Sequence, residues 1–291
     1  MAARELRPRR REPERLVADG FTFLEGPRWR DGRLYCSDMT GGRVLRLDPE
    51  SGTSETVVRV SEQPSGLGWL PDGRLLVVSM RDRRLLRVEP DGRLAVHADL
   101  SKLVDHWCND MVVDDSGRAY VGNFGFDMLA GEKQKPTCLV AVEPDGSARV
   151  VADGLVFPNG AAITRDRRRL VVAETWANRL TVFDLRADGS LSPGRLFADV
   201  GGTADGIAID AEDAVWAACF QEREFRRVHE GGRISEVVAV PEEHAVACAL
   251  GGADRRTLFL LCARNVEKLA EGGSTALIRS VRVDVPGAGI P

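Results

Sequence analysis

Six times along the 291 residues, an apolar strand is followed by a turn, a second apolar strand and a third. The first copy reads Gly26-Pro27-Arg28-Trp29, Asp31-Gly32-Arg33-Leu34-Tyr35 and Arg43-Val44-Leu45-Arg46-Leu47. The fifth reads Asp205-Gly206-Ile207-Ala208-Ile209, Ala214-Val215-Trp216-Ala217-Ala218 and Phe225-Arg226-Arg227-Val228. A period of roughly 40–50 residues marks an array or a propeller. Strands this short, punctuated by Asp31-Gly32, Asp72-Gly73, Asp91-Gly92 and Asp145-Gly146, make antiparallel hairpins rather than crossover units. About four strands per copy match one blade, so the expected fold is all-β, a six-bladed β-propeller. Residues 14–20 resemble residues 148–154, the lead-in to the fourth copy. The N-terminal segment is therefore expected to supply the outer strand that closes the last blade and removes its open edge.

One domain is expected over residues 13–291, with residues 1–12 a disordered basic tail. The third copy is lengthened by a polar insertion, Asp127 to Thr137. A net charge of −4, with arginines scattered through turns (Arg81, Arg83, Arg84; Arg167 to Arg169), gives no footprint for nucleic acid. No apolar run reaches the length of a membrane span, and the arginine-rich start lacks a signal peptide's apolar core. The six cysteines have no CxxC spacing and several sit inside apolar runs, which reads as reduced core thiols in a cytoplasmic protein. The expected assembly is a monomer or small homo-oligomer.

The innermost strand of every blade lines the central channel, so equivalent positions of the repeats meet there. Aligning the copies puts Glu25, Ser65, Asn109, Asn159 and Asp205 at one position, four residues before Trp29, Trp69, Val113, Ile163 and Ile209. The sixth copy offers Ala247 or Cys248. Two carboxylates confined together repel unless a cation sits between them. Glu25 and Asp205 would balance a divalent charge and Asn159 can add a carbonyl oxygen. Oxygen-only ligation favours hard ions, with Ca²⁺ first and Mg²⁺ or Mn²⁺ next; Zn²⁺ is less suited for want of imidazole and thiolate.

With Leu24-Glu25-Gly26-Pro27, Asn109-Asp110, Phe157-Pro158-Asn159-Gly160, residues 205–210 and residues 251–258 in this order, the sequence resembles the senescence-marker-protein/gluconolactonase family, the regucalcin-like sugar lactonases. The resemblance runs from about Arg15 to Val283. It implies a six-bladed propeller with one divalent metal in the channel, held by Glu25, Asn159 and Asp205, and a substrate contact at Asn109. It also implies a metal-dependent lactonase or esterase opening a small lactone to a hydroxy acid, with a metal-polarised carbonyl, water as the nucleophile and Asp205 as the catalytic base. Asp110 is a second candidate base, though an Asp beginning a strand more often serves structure.

One departure bears on the substrate. Sugar-lactone members commonly carry an Arg two residues before the Asn of Asn109-Asp110, and here that residue is Trp107. An indole in place of a cation points away from a simple sugar aldonolactone toward a more apolar or aromatic lactone or ester. His106, Trp107, Asn123 and Phe124 are the further candidates for binding substrate, while Asp38, Glu174 and Trp216 read as blade packing. Two other functions fit the same residues. A metal-dependent isomerase or cyclase would add no water to its product, and a non-catalytic calcium-binding or interaction propeller would keep its function without Asp205.

Overall fold

The computed structural model describes residues 7–128 and 130–289, and the repeat becomes six sheets, each an antiparallel meander in its main body. Blade 1 is Leu24–Arg30, Arg33–Asp38, Arg43–Leu47 and Ser54–Arg59 in that order from the channel outward. Blades 2 to 5 begin with innermost strands Pro64–Trp69, Cys108–Val113, Pro158–Ile163 and Ala204–Ile209. Blade 6 is His244–Gly251, Thr257–Arg264 and Thr275–Arg282, with Arg15–Phe21 as its outer strand, so the N-terminal segment closes the ring. The hairpin chemistry follows the sequence. Asp31 at φ 49° and Gly32 at φ 74° form a two-residue turn of the primed type, whose twist matches the strands that it joins.

Each sheet buries side chains on both faces against the next blade, and the apolar clusters therefore lie between blades. Trp216, Phe225, Cys248, Leu258 and Leu260 fill one such seam, and all six cysteines are buried free thiols. The acids set aside for packing do clamp loops. Asp38 accepts from the Thr22 amide at 3.0 Å and pairs with Arg43, and Glu174 accepts from the Val156 amide at 2.8 Å and pairs with Arg179. No helix among the described residues is long and apolar enough to cross a membrane.

The disordered tail expected over residues 1–12 does not hold at Arg9–Arg11. Residues 1–6 lie outside the described residues, but Arg9–Arg11 forms a strand parallel to Ile234–Ala239, making blade 5 five-stranded. Main-chain pairing and ion pairs hold it, with Arg11 on Glu236 at 2.5 Å and Arg9 on Asp284 at 2.6 Å. Apolar burial contributes little to that strand, which is why composition alone reads it as a tail.

Candidate active site

In each blade the innermost strand starts at the same end of the ring, because a meander returns to that end before every new blade. Glu25, Ser65, Asn109, Asn159 and Asp205 are the second residues of their strands, and all five are buried. A bulge aims them. The register of the first strand pair breaks between Glu25 and Arg28, Pro64 and Leu67, Cys108 and Met111, Pro158 and Ala161, and Ala204 and Ile207. Such a break leaves residues unpaired and re-aims their side chains. Glycine follows the polar residue in four of these strands because neighbouring strands touch there. A Cβ on Gly160 would lie 2.5 Å from the Ile207 nitrogen and 2.7 Å from the Asp205 carbonyl oxygen. Gly206 packs in the same way on Ala247, so Ala247 holds the glycine's place in the sixth blade. The sixth aligned residue is thus Val246, buried and apolar, rather than the expected Ala247 or Cys248.

The structure brings the predicted ligands together. The Asn159 amide nitrogen donates to Asp205 Oδ1 at 2.5 Å and to Thr175 Oγ1 at 3.1 Å. Asn109 donates to the Pro158 carbonyl at 3.4 Å. Burial is the main cause of a large rise in the Asp205 pKa, to about 8, with the charge of Asp110 adding to it and the Asn159 amide opposing it. Glu25 is pushed well above its ordinary range by burial first and by the charges of Asp205 and Asp110 next.

Beneath them lies an ion pair that sequence reasoning missed in half. Arg28 donates to Asp110 Oδ1 at 3.0 Å and to the carbonyls of Pro27 and Met111, and both side chains are buried. Asp110 also accepts from the Met111 amide at 2.8 Å. It is engaged on one oxygen by two donors, an arrangement that suits anchoring better than proton transfer. Strict strand alternation would turn Arg28 away from Glu25, and the bulge between them puts both inside the ring.

Whether these residues suit a metal ion can be tested on their own atoms. Asn159 Oδ1 and Ser65 Oγ are buried without a hydrogen-bond partner, a costly state for a polar atom. Three carboxylates (Glu25, Asp110, Asp205) face one guanidinium, which leaves the charge of a divalent cation unbalanced. Among the described residues no three His, Cys, Asp or Glu side chains converge as a metal group, so the set depends on the Asn159 carbonyl for its third ligand. Two carboxylates and a neutral oxygen fit a hard cation.

The loops at the same end of the blades as the carboxylates carry a run of aromatic rings. His106 stacks on Trp107 at 5.3 Å between centroids, Trp107 tilts against Phe124 at 5.8 Å, and Phe124 lies 4.3 Å from Phe157. Phe157, at φ 56°, meets Trp176 edge-on at 6.0 Å. Trp176 sits on the short 3-10 turn Thr175–Ala177, whose Thr175 holds Asn159. His106 Nε2 is 3.7 Å from Asp127, the first residue of the insertion. Asn123 is not part of this run. Its amide is consumed within blade 3, accepting from Thr137 Oγ1 at 2.6 Å and donating to the Cys138 carbonyl at 2.7 Å. It anchors the base of the insertion. Phe157 and Trp176 were not singled out by sequence, although Phe157 begins the Phe-Pro-Asn-Gly stretch that was.

A closed six-bladed ring with acids and amides gathered at one end of its channel defines a propeller with a polar axial site. The chain belongs to the family described as SMP-30/Gluconolactonase/LRE-like region, whose model matches residues 23–264. It is 31% identical to a pentonolactonase of Haloferax volcanii over 86% of this chain and 84% of that one. It is 28% identical to a 6-deoxy-6-sulfogluconolactonase of Pseudomonas putida over 95% and 96% of the two chains. A luciferin-regenerating enzyme has the same fold, at a TM-score of 0.79 and 19% identity over 92% of this chain and 94% of that one.

Proposed function

We propose that the protein is a metal-dependent lactone hydrolase whose reaction takes place where Glu25, Asn109, Asn159 and Asp205 meet. The observation that carries this reading is a pair of buried carboxylates, both raised in pKa, beside the unsatisfied carbonyl oxygen of Asn159. Membership of a lactonase-containing family supports it. Glu25, Asn159 and Asp205 hold the cation, with Ca²⁺ the first candidate on the hardness of the donors. When bound, a divalent ion supplies Lewis-acid polarisation of a carbonyl.

The chain's own residues supply the rest. Asn109 presents an amide beside the carboxylates, and Thr175 fixes the Asn159 amide so that its oxygen stays free. Asp205 is the base that takes the proton from the attacking water, since its buried carboxylate stands on the aligned channel position beside the Asn159 amide that fixes it. Ring opening then needs a proton on the departing alkoxide, and the same carboxyl can return it. Trp107 and its neighbouring rings give the mouth an apolar face, which supports a substrate other than a simple sugar aldonolactone.

The test is a lactone panel followed by pH-stat, from gluconolactone through homoserine lactones to dihydrocoumarin. Metal-stripped protein is compared with protein given back Ca²⁺, Mn²⁺, Mg²⁺ or Zn²⁺. Turnover is expected to return with metal and to fall at least about a hundredfold in Asp205→Ala. Metal-loaded protein that opens none of the panel would sink the reading.

A further inference from the structure

Between the second and third strands of blade 2, Leu75–Ser79 and Arg84–Val88, the chain turns through Arg81-Asp82-Arg83 into Arg84, at the same end of the ring as the carboxylates. Two of the three guanidinium groups are engaged by the protein. Arg83 donates to the Val104 carbonyl at 3.3 Å, and Arg84 lies 3.4 Å from Asp82. Arg81 is exposed, and among the described residues it forms no ion pair. Its guanidinium carbon instead lies 5.1 Å over the ring of Trp107. That ring is itself fixed by His106 and Phe124. The backbone ties the two loops together, with the Cys108 amide donating to the Met80 carbonyl at 3.1 Å, at the start of the strand that carries Asn109. A flexible side chain is thus held over a rigid indole, and among the described residues no acceptor takes a hydrogen bond from its N–H groups.

We infer that Arg81 is a specificity-determining residue that binds an oxyanion substituent, such as a carboxylate or sulfonate, on the lactone opened at this site. The inference rests on the hydrolase reading above and names a chemical feature of its substrate. A guanidinium presents a planar fork of donors that matches two oxygens at once, and stacking on an aromatic face leaves that fork available. Trp107 then plays two parts. It lines the apolar side of the mouth and it holds the cation that greets the charged end of the substrate.

A matched pair of substrates tests this: a γ-lactone bearing a ring carboxylate and its methyl ester, each with the metal-loaded enzyme. A third arm, a lactone bearing a sulfonate, separates carboxylate from sulfonate recognition. The carboxylate is expected to be preferred in kcat/KM by about fivefold to tenfold, through KM, with the preference shrinking at high salt. Arg81→Met is expected to bring the ratio of acid to ester close to one, and Arg81→Lys to keep part of it. A wild-type ratio near one, or a preference that survives Arg81→Met, overturns the inference while leaving the hydrolase reading standing.

Equilibrium binding of the same pair, read through tryptophan emission, covers the remaining case. If neither lactone is opened yet the carboxylate binds more tightly in an Arg81-dependent way, the hydrolase reading falls and the role of Arg81 stands. If neither is opened and binding does not distinguish them, both fall.

Discussion

Asp205 shows how one side chain can be costly to the fold and suited to the proposed site. Its carboxyl is buried beside two others with a single guanidinium among them, and its pKa rises to about 8. In the unfolded chain the same group sheds its proton near pH 4. Between those values the metal-free fold holds a proton that the unfolded chain has lost, so stability falls as pH rises, and Glu25 acts in the same direction. Metal-stripped protein is therefore expected to melt at progressively lower temperature from about pH 5 to pH 8. Saturating Ca²⁺, which binds the ionised form, is expected to remove most of that decline. Calorimetric scans at several pH values, with and without the ion, check both statements, and a metal-free melting point that is flat or rises over that range refutes the charge assignment. The residues behind this behaviour were legible in sequence because repetition exposes them: Glu25, Asn109, Asn159 and Asp205 fall on one aligned position. Arg28 and Val246 were not. Each is placed by a bulge, and a bulge breaks the alternation on which reading a strand's faces depends.

Strands and hairpins were the readable elements, since Asp-Gly turns and short apolar runs mark them directly. The least readable was Arg9–Arg11, which has no alternation and no apolar face. It holds to blade 5 through a parallel ladder and through Arg11 on Glu236 and Asp284, and the chain then crosses to blade 6 at Arg15–Phe21. The segment straps blade 5 to blade 6, the blade in which the ring closes. Removal of residues 1–12 is expected to expose the outer edge of Ile234–Ala239 and to lower unfolding stability by about 1–3 kcal/mol, a range in which an ion pair and a few ladder bonds fall. Urea unfolding of the shortened chain measures it, and aggregation through the bared edge is the expected side effect. No change in midpoint would mean that the strand decorates the blade without supporting it. The insertion at Asp127 to Thr137 was visible as extra length, but only the structure shows its base pinned by Asn123 and its first residue facing His106.

For the molecule as a whole, the ring explains why six weakly similar copies suffice to build one site: closure brings residues some 180 positions apart in the chain onto one axis, as it does Glu25 and Asp205. The two ends of that axis differ. At the far end, residues 286–289 lie against the innermost strands of blades 5 and 6, with the Ala288 amide on the Ile209 carbonyl at 3.1 Å and the Ala211 amide on the Pro286 carbonyl at 2.8 Å. They help to line a cavity of about 50 Å³, room for little more than a water molecule or two, and the Arg28–Asp110 pair spans the channel between this cavity and the carboxylates. On this packing we expect access to the carboxylates from the opposite end alone. Substrate and product would then share one opening, and a hydroxy acid formed at the carboxylates would stand in the way of the next lactone. Added product is accordingly expected to inhibit competitively, raising KM without lowering kcat in initial-rate measurements. A noncompetitive pattern would mean that the hydroxy acid also binds the substrate-loaded enzyme, at a place other than the carboxylates. With lactone and hydroxy acid sharing one opening, traffic at the rim is expected to be part of the enzyme's kinetics.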